Sequence, residues 1–152
     1  MFRPWLVLAA FALASLPALA QGNLSHANSV MLTTTNIWAG VYTDEQAAQG
    51  HKFYTAACSE CHGDQLEGDP GQGFPGLADA GFMVAWDGQS MADLVQHIHT
   101  APNDKPGDMD QTTAVVLAAF ILSRNGVPSG KTPLSTDAKE EAKILFTEVK
   151  PK

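Results

Sequence analysis

The chain has two cysteines, and they stand two residues apart as Cys58-Ser59-Glu60-Cys61, with His62 directly after them. Any fold must therefore present two thiols and an imidazole together on one short piece of backbone. Three chemistries use such a pair. A redox disulfide of the thioredoxin kind opens a helix after a strand. Here an amphipathic helical pattern precedes the pair and a Gly-rich stretch follows it. A zinc site needs about four ligands in closed geometry, and His26, His51, His97 and His99 form no second compact pair. The third chemistry is attachment of a c-type haem, in which the thiols add across the vinyl groups and the next histidine supplies an axial nitrogen to iron. Two intervening residues let one turn of backbone set both sulfurs along one porphyrin edge, and the following residue then falls beneath the metal. The spacing favours this reading: one haem c held covalently by Cys58 and Cys61, with His62 as axial iron ligand.

The first twenty residues fit the same chemistry. Met1-Phe2-Arg3 is followed by an apolar run from Trp5 to Ala14 and closes on Ala18-Leu19-Ala20. A short basic region, an apolar region and a small-residue cleavage site make a secretory signal peptide over 1–20. The competing reading, a membrane anchor, needs about 20 uninterrupted apolar residues. The run is shorter than that, and Pro17 with its small neighbours favours cleavage. The mature chain is then expected to be periplasmic and to have no membrane span. A chain of 152 residues with a formal charge of −7 has room for one domain. Phosphate binding needs clusters of Lys and Arg, which are missing, so nucleic acid is not an expected partner. The acidic balance suits docking on a basic patch of another protein, or simply solubility.

Along the rest of the chain the pattern is helical, interrupted by turns. Residues 21–41 lack a helical period and read as an irregular arm over the surface. Thr43-Asp44-Glu45-Gln46 has the form of a capping box, opening a helix from about Asp44 to Ala57 that runs straight into the cysteine motif. From Gly63 to Gly81 the density of Gly and Pro rules out regular helix or sheet. Ser90 caps a short helix with Met91, Leu94, Val95 and Ile98 on one stripe. A turn follows from Ala101 to Gly107. Asp110 then caps a longer helix, roughly Gln111 to Asn125, ended by Gly126 and Pro128. A final amphipathic helix is expected over Thr136 to Lys150, on Ala138, Ala142, Leu145 and Val149. The expected fold class is all-α: short helices and Gly/Pro-rich loops around one haem, which replaces part of the core that a small domain lacks.

The chain resembles the class I cytochrome c family, and within it the small cytochromes that serve quinoprotein (PQQ) alcohol dehydrogenases. The likeness begins near Ile37 and rests on 38–47, on Cys58 to Gly63, and on Phe82 with Trp86 and Gly88. It continues through Pro106-Gly107, Ala119 to Leu122 and Asn125 to Pro128. It implies a cytochrome c domain over 42–128 and leaves 129–152 as a linker and C-terminal helix. It also implies a crossing of the first and last core helices at Gly50, against Ala118, Ala119 or Phe120. Trp86 would lie at the haem edge, within reach of a propionate, or serve as an ordinary core aromatic. Redox partner proteins are implied as well, among them a quinoprotein dehydrogenase and a terminal oxidase.

The chain departs from the family at the sixth iron ligand, where a methionine precedes a proline. Here the residues are Ala101-Pro102, and alanine cannot bind iron. His99 is the substitute closest in sequence, although a histidine at a helix end is commonly solvated. Met109 sits where an apolar residue packs before the helix cap, and the helical or loop positions of Met83, Met91 and His97 suggest packing or solvent. An iron open to water or a small gas is the remaining arrangement. Two functions follow. One is a single-electron carrier that is not an enzyme; the other is a gas-binding or sensing haem protein, or a weak peroxidase, with an open distal site.

Overall fold

A computed structural model describes residues 34–101 and 109–150. The expected signal peptide, the arm over 21–33 and the turn over 102–107 lie outside the described residues. The elements, in order, are strand β1 (Thr35–Asn36), a 3-10 turn (Ile37–Ala39), helices α1 (Asp44–Ala57), α2 (Ser59–His62), α3 (Ala80–Trp86), α4 (Met91–His99), α5 (Gln111–Arg124) and α6 (Ala138–Glu141), and strand β2 (Ile144–Leu145).

Helix α1 starts as the sequence predicts. The Thr43 hydroxyl accepts from the Gln46 backbone N–H (3.3 Å), and the Gln46 side chain accepts from the Thr43 N–H (3.2 Å), so two free donors of the first turn are satisfied reciprocally. The same Gln46 amide bonds both the N–H (2.8 Å) and the carbonyl (2.9 Å) of Leu134, tying the segment after α5 to the start of α1. Helix α5 is buried without interruption from Ala114 to Leu122. An apolar stripe is therefore replaced by an all-round core helix on which the other elements pack. Helix α1 crosses it at Gly50. A Cβ there would fall on the Val116 carbonyl oxygen and lie 2.8 Å from Phe120 Cβ, so only glycine permits this approach. Phe120 is one of the residues expected at the crossing, but the closest group is the Val116 carbonyl rather than Ala118 or Ala119.

Three expectations need correction. The Gly/Pro-rich stretch, expected to hold no regular helix as far as Gly81, gives way to one earlier, because α3 begins at Ala80. Asp79 caps α3 by accepting from Phe82 N–H at 2.7 Å, and Phe82 and Trp86 lie one helical turn apart. The arm residues nearest the domain are not a surface arm, since Ile37 is fully buried and the Trp38 indole donates to the Thr147 carbonyl at 2.9 Å. The expected C-terminal helix is a single turn, α6, after which the chain extends and β2 pairs in parallel with β1. The reason is Phe146. It is fully buried against Phe82 (6.3 Å) and Trp86 (6.0 Å), and its N–H donates to the Gln89 carbonyl at 2.8 Å. The helical stripe read on Ala138, Ala142, Leu145 and Val149 left Phe146 out. The extended chain sends Phe146 into the core and leaves Val149 74% exposed.

Candidate functional site

Helix α1 ends where the cysteine motif begins. The Cys58 N–H still donates to Tyr54 (2.8 Å), while the Cys58 carbonyl accepts from His62 N–H (2.9 Å) and starts the single turn of α2. That turn brings Cys58, Cys61 and His62 onto the wall of one cavity of about 550 Å³. Its size is within the range of small-molecule and cofactor sites. Most of the lining is apolar, with Phe82, Leu94, Ile98, Leu117 and Ile121 among it.

His62 is held from behind. Its Nδ1 lies 2.9 Å from the Pro75 carbonyl oxygen. A carbonyl only accepts, so Nδ1 carries the proton and the Nε2 lone pair is left free for a metal. The surrounding backbone is tied as well. The Tyr54 hydroxyl donates to the Gly63 carbonyl at 2.7 Å and the Gly68 N–H to the His62 carbonyl at 2.8 Å. Burial, reinforced by nearby Cys58, Glu67 and Asp64, pushes the Tyr54 phenol up to about 12, so it remains a donor at any ordinary pH. Leu66, fully buried, adopts a left-handed backbone (φ 65°) while its carbonyl accepts from Leu77 N–H at 2.8 Å. That conformation costs about 1 kcal/mol in a residue other than glycine. It is held in place by burial of the side chain in the core.

Both thiols are free. Burial, then the neighbouring Cys61, pushes the Cys58 thiol above its ordinary value. A redox-active cysteine of the thioredoxin kind needs the opposite shift. Among the described residues no group of three or more His, Cys, Asp or Glu side chains is arranged to hold a metal ion, which leaves the zinc reading without support.

Trp86 lines the cavity. Its ring meets the edge of His97 at 5.6 Å, and its indole N–H has no protein partner among the described residues. His99 does not line the cavity. Its Nδ1 is buried without a hydrogen-bond partner among the described residues, and its side chain is off the wall that His97 lines. Met83 and Met91 are buried in the core and are not among the lining residues, whereas Ala101, Met109 and His97 are. Sequence reasoning overlooked two contributors. The Pro75 carbonyl and the Leu66 peg both sit in the Gly/Pro stretch, and the signal for them was an apolar Leu and a Phe74-Pro75-Gly76 turn within an otherwise polar loop. Two thiols on one turn, a histidine with Nε2 free, an apolar cavity of this size and an unpaired indole donor on its wall fit a haem.

The family model described as cytochrome c oxidase, cbb3-type, subunit III, matches residues 45–121, just over half of the chain. The chain belongs to this cytochrome c family. The matched span runs from the start of α1 nearly to the end of α5 and so contains every lining residue of the cavity. A relative, the cbb3-type cytochrome c oxidase subunit FixP of Bradyrhizobium sp. (strain ORS 278), is 31% identical over 87 residues, which is 53% of this chain and 28% of that protein. The chain thus spans well under a third of the relative's length. No solved structure matches it. Both matches carry a cbb3-type oxidase name, and the narrower likeness to the cytochromes of quinoprotein alcohol dehydrogenases finds no support in them. Membership of this cytochrome c family, together with the site, makes the chain a haem protein of the electron-transfer kind. Among the described residues no helix is long and apolar enough to cross a membrane.

Proposed function

We propose that the chain is an exported, periplasmic c-type cytochrome with one haem, bound covalently through Cys58 and Cys61, that passes single electrons between redox partners. The observation that carries the proposal is the placing of both thiols and the His62 ring on one cavity wall, with Nδ1 of His62 bonded to the Pro75 carbonyl. When bound, the haem supplies one-electron chemistry at its iron. The chain's own residues do the rest. Cys58 and Cys61 would tether the group, His62 would offer Nε2 to the metal, and Leu94, Ile98, Leu117 and Ile121 would exclude water and keep reorganisation small. The Trp86 N–H, without a hydrogen-bond partner among the described residues, would be available to a propionate.

Export is supported by the pattern of residues 1–20 and by the sense of a covalent tether outside the cytoplasm. Cys61 is exposed, and Glu60, Asp64 and Glu67 beside it are exposed too. This edge suits a basic patch on a partner, with an encounter rate that falls as salt rises. The relative's name supports a terminal oxidase of the cbb3 type as that partner.

The test is a potentiometric titration of the protein matured in a host that attaches haem. A single reversible one-electron transition is expected. A protein that takes up no haem, or whose haem does not cycle reversibly, would contradict the proposal.

A further inference from the structure

We infer that the sixth iron ligand is the thioether of Met109, an inference that rests on the haem reading above. The resemblance puts this ligand just before Pro102, where the chain has Ala101. Seven other His and Met side chains that could replace it lie among the described residues. One of them, His62, is already used. His51 is exposed and stacked on Phe120 at 4.9 Å, outside the cavity lining. Met83 and Met91 are packed into the core, and His99 is off the wall. His97 and Met109 remain as cavity-lining donors.

Their surroundings separate them. His97 is exposed, with its ring 5.6 Å from that of Trp86 and steeply inclined to it, which is the position of a rim residue close to solvent. Met109 is half-buried and packs against the hydrophobic core while also lining the cavity. A donor shielded from water would hold the iron better than one at the solvent edge, and a soft thioether would also favour its reduced state.

The backbone next to Met109 is fixed. Asp110 caps α5, accepting from the Thr113 N–H at 2.9 Å and from the Thr113 hydroxyl at 2.8 Å. Met109 is therefore the last residue before a locked helix start, where a side chain is held against the core by its neighbour's cap. Ala101, at the other end of the same connection, presents only a methyl group and leaves the metal's remaining face to a longer side chain. Ligation is a simple donation of a sulfur lone pair to iron with release of any bound water, and needs no change of oxidation state.

The test compares the ferric absorption spectrum and the carbon monoxide binding of the ferrous form in five proteins: the parent, Met109→Ala, Met109→Leu, His97→Ala and His99→Ala. The leucine variant keeps the packing volume, so its result does not depend on tolerance of a cavity. The parent, His97→Ala and His99→Ala should be low-spin with the weak far-red sulfur-to-iron band and should bind carbon monoxide slowly. Both Met109 variants should lose that band, become high-spin and bind carbon monoxide rapidly and stoichiometrically. A histidine variant that loses low-spin character while Met109→Leu keeps it would overturn the inference. So would a parent that is already high-spin and binds the gas at once, the behaviour of an open sensing site. Haem stain on a denaturing gel separates the two levels: a parent without covalent haem overturns the proposed function as well, whereas a stained parent with the wrong spectrum overturns only the assignment of Met109.

Discussion

On the His62 side of the cavity, backbone and side chains are joined by hydrogen bonds: Nδ1 to Pro75, Tyr54 to Gly63, Gly68 to His62, Leu77 to Leu66. The side built by α4, α5 and the ends of their connection is held by packing, through Leu94, Ile98, Leu117, Ile121, Ala101 and Met109. The first side fixes the direction of one nitrogen and has a single solution. The second encloses an apolar volume and can change its donor without changing its fold. A family can therefore keep Cys58, Cys61 and His62 in place while moving the sixth ligand from one end of a loop to the other.

The largest effect is expected where both sides share a support. Gly50→Ala places a methyl group on the Val116 carbonyl and must push α1 away from α5. It should cost more than about 3 kcal/mol, at the upper end of overpacking penalties, in denaturant unfolding of the holoprotein. A cost under about 1 kcal/mol would mean that the helices can separate freely.

The two sides should then respond differently to loss of one side chain. Leu66→Ala removes a fully buried peg beneath the hydrogen-bonded side and should cost about 3 kcal/mol. Met109→Leu should cost about 1 kcal/mol or less, because volume is conserved, while altering the spectrum far more. Equal stability losses would erase the distinction between a tied side and a packed one. Tyr54→Phe removes the shorter of two donors to the Gly63 carbonyl and leaves the Leu66 N–H at 3.2 Å, so it should cost about 1 kcal/mol, with the ring packing on Phe120 retained.

The smallest effect concerns a residue outside both sides. Glu141 is buried, and burial raises its carboxyl above the usual range against a hydrogen bond from Gln111 at 3.2 Å. Its folded pKa lies above its unfolded one, so its contribution is fully present below the ordinary carboxylate range and is lost as pH rises through the folded value. Glu141→Gln should remove that decline and leave the protein as stable or more stable at neutral pH. Thermal melts of both proteins across the acid range check it, and an unchanged pH slope would contradict it.

What was legible in the sequence follows from locality. The capping box at Thr43, the N-caps at Ser90 and Asp110 and the bounds of α1 are short-range features, and they appear as read. The cysteine motif and His62 share one turn, so their co-location was legible too. The exposed, solvated state expected for the arm was misread because the burial of Ile37 depends on the distant β2 strand. The C-terminal helix failed for the same reason: Leu145 and Val149 suited a helical period, but Phe146 had a place to fill beside Phe82 and Trp86. His99 was attractive by proximity to Ala101 in the chain. The helix turns it off the wall that His97 and Ala101 share.

The central claim, a haem tethered at Cys58 and Cys61, is tested most directly by mass spectrometry of the denatured chain after maturation in a haem-attaching host. The parent should carry the added mass of one haem, and Cys58→Ser with Cys61→Ser should carry none. A parent chain at its bare polypeptide mass, or a double variant that keeps the haem through denaturation, would contradict the account.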